Sequence, residues 1–103
     1  MSGKLGQGVA MNGKRFADHE VYFISSDDGP IKIGSTWDVR KRLSNLQTAS
    51  PHKLKILATT GGGNFMEIHY HGRFKEHRIR GEWFARHPDV MAEIERLAKS
   101  GRR

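Results

Sequence analysis

The sequence predicts an α+β domain of sandwich-like build: a small three-stranded antiparallel sheet flanked by helices, in the order β-β-α-β-α-α. Three observations predict it. Val21-Tyr22-Phe23-Ile24 and Ile31-Lys32-Ile33 are short β-forming runs around the turn-rich Ser25-Ser26-Asp27-Asp28-Gly29-Pro30, which reads as a hairpin. Asp38 then caps a helix that carries Val39, Leu43 and Leu46 on one face. Leu54 to Thr60 supplies a third strand, and two further helical stretches follow it.

The 103 residues are enough for one domain with a small core, and hydrophobic residues make up 36%. Eighteen Lys and Arg against eleven Asp and Glu leave a net charge of +7. That excess favours a polyanionic partner, most simply nucleic acid, although a basic surface alone also serves solubility. The absence of cysteine excludes disulfides and thiolate metal sites. No apolar run approaches membrane-spanning length, and no hydrophobic stretch follows the N-terminal lysine, so a cytoplasmic protein is expected.

Residues 1–18 are glycine-rich and polar and read as a flexible arm, 19–99 as the folded domain, and 100–103 as a basic tail. The first helix is expected to stop near Thr48-Ala49-Ser50-Pro51, because Pro51 disfavours helical geometry at Ser50. Gly61-Gly62-Gly63 breaks the third strand and reads as a hinge; it lacks the Gly-Lys-Ser/Thr ending of a phosphate loop. A second helix is expected from about Phe65 to Glu76, capped by Asn64, with Phe65, Ile68 and Phe74 as apolar contacts and Met66 and Tyr70 one turn apart. Residues 78–84 read as a basic stretch, a turn and two buried aromatics. Pro88 then opens a last helix with Val90, Met91, Ile94 and Leu97 as its stripe.

Several residues invite chemistry. Tyr22 and Lys32 lie on paired strands and can share a face. An ammonium beside a phenol lowers its pKa and makes a better base; a plain cross-strand aliphatic–aromatic contact is the alternative. Arg40, Lys41 and Arg42 place positive charge at the start of the first helix, against its dipole, which suits an anionic partner more than folding. Arg42 borders Leu43 and can hold a phosphate in two-point geometry, or simply be solvated. Glu67, His71 and Phe74 share a helical face, and Phe74 draws it toward the core. A half-buried Glu67 needs a hard divalent ion or an intrahelical partner such as His71. His69, His71 and His77, with Glu67 and Glu76, look like a metal cluster, but their spacing does not match a His-Glu-x-x-His zinc helix, so a zinc hydrolase is rejected.

Val21-Tyr22-Phe23-Ile24, Ile31-Lys32-Ile33-Gly34-Ser35-Thr36 and Asp38-Val39-Arg40-Lys41-Arg42-Leu43 together resemble the core of the GIY-YIG nuclease superfamily. Leu46-Gln47-Thr48-Ala49-Ser50-Pro51-His52-Lys53-Leu54, the helix with Glu67, His71 and Phe74, and Gly81-Glu82-Trp83-Phe84 are similar to its short branch found in phage and microbial genomes. The resemblance covers residues 20–97. It implies metal-dependent hydrolysis of DNA phosphodiesters by a three-stranded sheet flanked by helices. It also implies roles: Tyr22 deprotonates water, Gly34 lets the hairpin approach the helix, Arg42 steadies the phosphate, and Glu67 holds Mg2+ or Mn2+. Arg40, Lys41, Arg78 and Arg80 are the expected further DNA contacts. Gly34, Gly81, Glu82 and Trp83 are the motif's structural positions. Two departures stand out: Glu20 replaces a frequent glycine, and Lys32 replaces a tyrosine, as is common in this branch. His71 is typical of the branch and is expected to border the site. DNA is the implied partner, with no organic cofactor. A module that binds nucleic acid through the same basic face without cutting it is the competing expectation.

Overall fold

A computed structural model describes residues 19–100. The proposed arm at 1–18 and the last three residues of the tail lie outside the described residues. Strand β1 spans Glu20–Ser25 and β2 Ile31–Thr36. Helix α1 spans Val39–Thr48, β3 Lys55–Thr60 and α2 Gly63–Arg73. After a 3-10 turn at Lys75–His77 come β4 (Arg78–Arg80), β5 (Trp83–Phe84) and α3 (Pro88–Ser100).

The three-stranded sheet and the order β-β-α-β-α-α are overturned. The sheet has five strands in the order β3-β1-β2-β5-β4, all pairs antiparallel. The extra pair is a short hairpin folded from the segment read as a basic stretch and turn. Gly81 sits at its tip with φ 53°, a left-handed conformation that glycine adopts without cost from a side chain. Ile31 pairs with Phe84 and Lys32 with Trp83, and the Ile33 amide donates to the Glu82 carbonyl at 2.9 Å.

Strand β1 lies between β3 and β2 and is buried on both faces from Val21 onward. On one face Val21, Phe23, Ile31 and Ile33 meet Tyr70, Phe74, Phe84, Val90, Ile94 and Leu97, so α2 and α3 form one outer layer. On the other, Tyr22 and Ile24 meet Val39, Leu54, Leu43 and Leu46, with α1 as the opposite layer. Each large apolar side chain removed from water this way contributes about 1.5–3 kcal/mol. The chain is therefore an α+β fold, but neither the expected strand count nor the expected order of elements describes it.

Asp38 caps α1 as its sequence suggests, accepting from the Lys41 amide at 3.0 Å. Helix α2 differs from its expected form. Gly62, at φ 98°, is its cap, and no side chain bonds there; Asn64 is inside the helix. A Cβ on Gly62 would stand 3.0 Å from the Met66 Cβ, so glycine is also required sterically. The buried face then runs through Gly63, Met66, Tyr70 and Phe74, a regular helical stripe, while Phe65 and Ile68 are 88% and 61% exposed.

Candidate active site

The candidate site forms where the sheet loses a neighbour. Strand β5 pairs with β2 at Ile31 and Lys32 and reaches Ile33 by one backbone bond. Gly34, Ser35 and Thr36 extend past it, bonded on their other side to β1. Side chains from both layers converge on this free margin.

Tyr22 lies opposite Gly34 in the β1–β2 register, and cross-strand partners share a face. Because Gly34 has no side chain, the phenol lies across it. A Cβ there would meet the Tyr22 hydroxyl, stand 2.7 Å from Cζ, and be 2.9 Å from Glu82 Oε1. Glycine at this position is thus a condition for the site. The Tyr22 hydroxyl is fully buried and, among the described residues, has no hydrogen-bond partner. Burial first, then the charge of Glu82, pushes its pKa up to about 12; Glu67 adds to the rise and Arg42 opposes it. Arg42 is near enough to exert this pull from α1, yet its guanidinium does not reach hydrogen-bonding geometry with the hydroxyl.

Lys32 does not act on Tyr22 as the sequence suggests. Its ammonium is 3.3 Å from Glu82 Oε1 and 5.1 Å from the centre of the Trp83 ring. The β5 strand, absent from the expected fold, supplies both partners. Lys32 is therefore engaged by the hairpin tip, and the phenol's pKa rises where a fall was expected.

Glu67 and His71 arrive from the α2 layer. The Ser35 hydroxyl donates to Glu67 Oε1 at 2.7 Å, and His71 Nε2 is 3.8 Å from Oε2. His71 Nε2 is also 2.8 Å from the Ile33 carbonyl. A carbonyl only accepts, so this nitrogen carries the proton. The His71 ring packs on Phe84 at 5.1 Å between centroids. Glu67 is thus half-buried, as its spacing from Phe74 suggests, with one oxygen held by Ser35 and the other only distantly approached. That donor set fits Mg2+ or Mn2+, which bind through one or two carboxylates and keep several waters.

A family profile for the T5orf172 domain matches residues 19–99. The chain belongs to the T5orf172 domain family. This phage-associated domain is related to nucleases, and a nuclease or nucleic-acid-binding role is compatible with it. No curated protein and no solved structure matches the chain.

The further basic residues that the sequence of this T5orf172 domain offers for DNA contact lie on two elements. Arg40 and Lys41 are exposed on α1, and Arg78 and Arg80 are exposed on the outermost strand, β4. Arg78 also lies 5.8 Å from the centre of the Phe84 ring. Among the described residues no helix is long and apolar enough to cross a membrane.

Sequence reasoning missed Ser35, which positions Glu67, and named Glu82 only as a motif position, without its hold on Lys32 or its opposition to ionisation of Tyr22. Ser35 carries a readable signal, one residue after Gly34 on the face opposite Tyr22. Glu82 does not, because its place depends on the unforeseen hairpin.

Proposed function

We propose that this T5orf172 domain is a metal-dependent endonuclease of GIY-YIG type that hydrolyses DNA phosphodiester bonds. The observation that carries the reading is the Tyr22 hydroxyl, buried, without a partner among the described residues, and acted on by the charges of Glu82, Arg42 and Glu67. An unsatisfied buried hydroxyl costs the fold about 1–3 kcal/mol, and a reacting group supplies a reason to keep it.

In this reading Tyr22 takes the proton of the attacking water, Arg42 binds the scissile phosphate, and Glu67 is the metal ligand. His71 keeps Glu67 and the Ile33 carbonyl in place, and Arg40, Lys41, Arg78 and Arg80 hold flanking phosphates. Lys32 is drawn away from Tyr22 by Glu82 and Trp83, so its part is to fix the hairpin tip. Tyr22 acts as a base only as its phenolate, so its own proton must first pass to solvent, against the burial and the two carboxylates that hold it there. Mg2+ or Mn2+ held by Glu67 would offset that carboxylate's charge beside Tyr22 and neutralise charge on the developing phosphorane. A phosphate bound by Arg42 brings its own negative charge, so proton transfer depends on Glu67 being neutralised first.

The raised pKa of Tyr22 favours a second reading, a module that grips nucleic acid without cutting it. Incubation of supercoiled, linear and branched DNA with the wild type and Glu67→Ala, with and without Mg2+ or Mn2+, separates the two. Nicking by the wild type, lost without metal and in Glu67→Ala, is the expected result. Identical behaviour of the two proteins across metals and substrates sinks the nuclease reading. Salt-dependent binding that ignores metal, with no cleavage, establishes the second.

A further inference from the structure

A second cluster of ligating side chains lies outside the Tyr22–Glu67 site. His77 ends the 3-10 turn before β4, His87 precedes α3, and Asp89 is in the first turn of α3. His77 Nε2 is 3.4 Å from Asp89 Oδ2, and His87 Nδ1 is 3.7 Å from the same oxygen. One ligand atom from each residue lies within 4.8 Å of the others. The two imidazole rings stack at 3.7 Å with an interplanar angle of 16°. The Ala85 amide donates to the His77 carbonyl at 2.7 Å, so the backbone itself holds the two histidine-bearing segments together.

We propose that His77, His87 and Asp89 form a second metal site, suited to a borderline transition-metal ion such as Zn2+. Zinc bonds of about 2.0–2.1 Å in a tetrahedron place neighbouring ligand atoms about 3.3 Å apart. The two distances to the Asp89 oxygen are already near that value. Two imidazoles with one carboxylate favour zinc and its neighbours over Mg2+ or Ca2+, whose preferred ligands are all oxygen. The His77 side chain is 20% exposed and that of Asp89 68%, so an ion enters from solvent on the Asp89 side. The rings must splay from their stack to aim both lone pairs at one point, and the half-exposed His87 has room to turn. Its Nδ1 presently accepts from the Asp89 amide at 3.0 Å. That amide belongs to a first helical turn, where water satisfies it at little cost. Three protein ligands leave one position for water. The site joins the end of α2's trailing turn to the start of α3, across the hairpin that carries Glu82 and Trp83. Its role is a clasp that fastens this hairpin to the domain.

The test is titration of the full chain with Zn2+ near neutral pH by calorimetry, with thermal melts in parallel. About one Zn2+ per chain is expected to bind, with a melting point raised by about 5 °C at saturation. Asp27→Asn, which alters an exposed carboxylate paired with Lys55 and outside both sites, is expected to bind Zn2+ like the wild type. His77→Ala and His87→Ala are each expected to weaken binding tenfold or more and to erase the thermal shift. Failure of the wild type to bind, or unchanged affinity in both histidine variants, overturns the proposal. Should a variant not fold, ring NMR signals of His77 and His87 in the wild type decide: both shift on zinc addition, or the proposal fails. DNA cleavage enters none of these readouts, so the result stands apart from the nuclease reading.

Discussion

The two tyrosines buried on opposite faces of the sheet differ in one respect. Tyr22 and Tyr70 are 0% and 1% exposed, and burial pushes both phenols up to about 12. Tyr70 donates to Glu93 Oε2 at 2.6 Å. Glu93, itself buried, accepts from Arg96 at 3.0 and 2.6 Å and faces Arg73 at 3.4 Å. One carboxylate there serves one phenol and two guanidinium groups, and the network ties α2 to α3. Tyr22 has the same burial with no hydrogen bond, and its surroundings mix two carboxylates with one guanidinium. Equal desolvation thus yields a closed structural network on one face and an open, strained electrostatic one on the other. The proposed role of Tyr22 rests on this contrast, since burial alone does not separate the two residues.

Four substitutions attack that contrast, in falling order of effect. Glu67→Ala is expected to lower metal-dependent nicking by roughly a thousandfold, about 4 kcal/mol of transition-state stabilisation, with an unchanged circular dichroism spectrum. Retained nicking removes the open face's claim to chemistry. Glu93→Ala is expected to cost about 3 kcal/mol in urea unfolding, because Tyr70 and the two guanidinium groups lose their common acceptor. The same network predicts acid sensitivity. The Arg96 bonds hold Glu93 at about 2, below its ordinary 4.5. A depressed carboxylate stabilises fully above the unfolded value and loses its effect as pH falls from about 4.5 toward 2. The Arg96 side chain is 62% exposed, so solvent screening reduces that contribution to about 2 kcal/mol. In Glu93→Gln the acid limb should flatten, and a limb as steep as the wild type's refutes the network's weight. Gly34→Ala is expected to cost roughly 2 kcal/mol and to abolish nicking, since its Cβ must displace a fully buried phenol. An active, stable Gly34→Ala means that Tyr22 acts from another position.

How far these features were legible follows from where their causes lie along the chain. The β1–β2 hairpin and α1 were legible because Ser25 to Pro30 and Asp38 act on their immediate neighbours, and Asp38 caps as read. The half-buried placement of Glu67 followed from its spacing to Phe74. The β4–β5 hairpin was not legible: its strands have three and two residues, and Arg78, Ile79 and Arg80 are all exposed, so no alternation marks them. That omission cost the partners of Lys32, since Glu82 and Trp83 lie fifty residues further along. The face of α2 was misjudged for a similar reason. Phe65 and Ile68 were the more hydrophobic choice, but Tyr70 finds its acceptor on α3, twenty-three residues away, and turns the helix accordingly.

The smallest effect discriminates best between the two faces. Removing one oxygen from each tyrosine leaves shape and apolar burial nearly intact, so stability reports the hydroxyl alone. Tyr70→Phe deletes a hydrogen bond to a carboxylate and is expected to cost about 1.5–3 kcal/mol. Tyr22→Phe deletes a buried hydroxyl that bonds to nothing and is expected to raise stability by about 1 kcal/mol. In nicking assays the signs reverse: Tyr70→Phe stays active while it remains folded, and Tyr22→Phe loses activity while gaining stability. Urea midpoints for the two variants, measured beside the wild type, check the pair. If Tyr22→Phe loses stability as Tyr70→Phe does, its hydroxyl has a partner in the resting protein, and the electrostatic opening that makes Tyr22 a candidate base is closed.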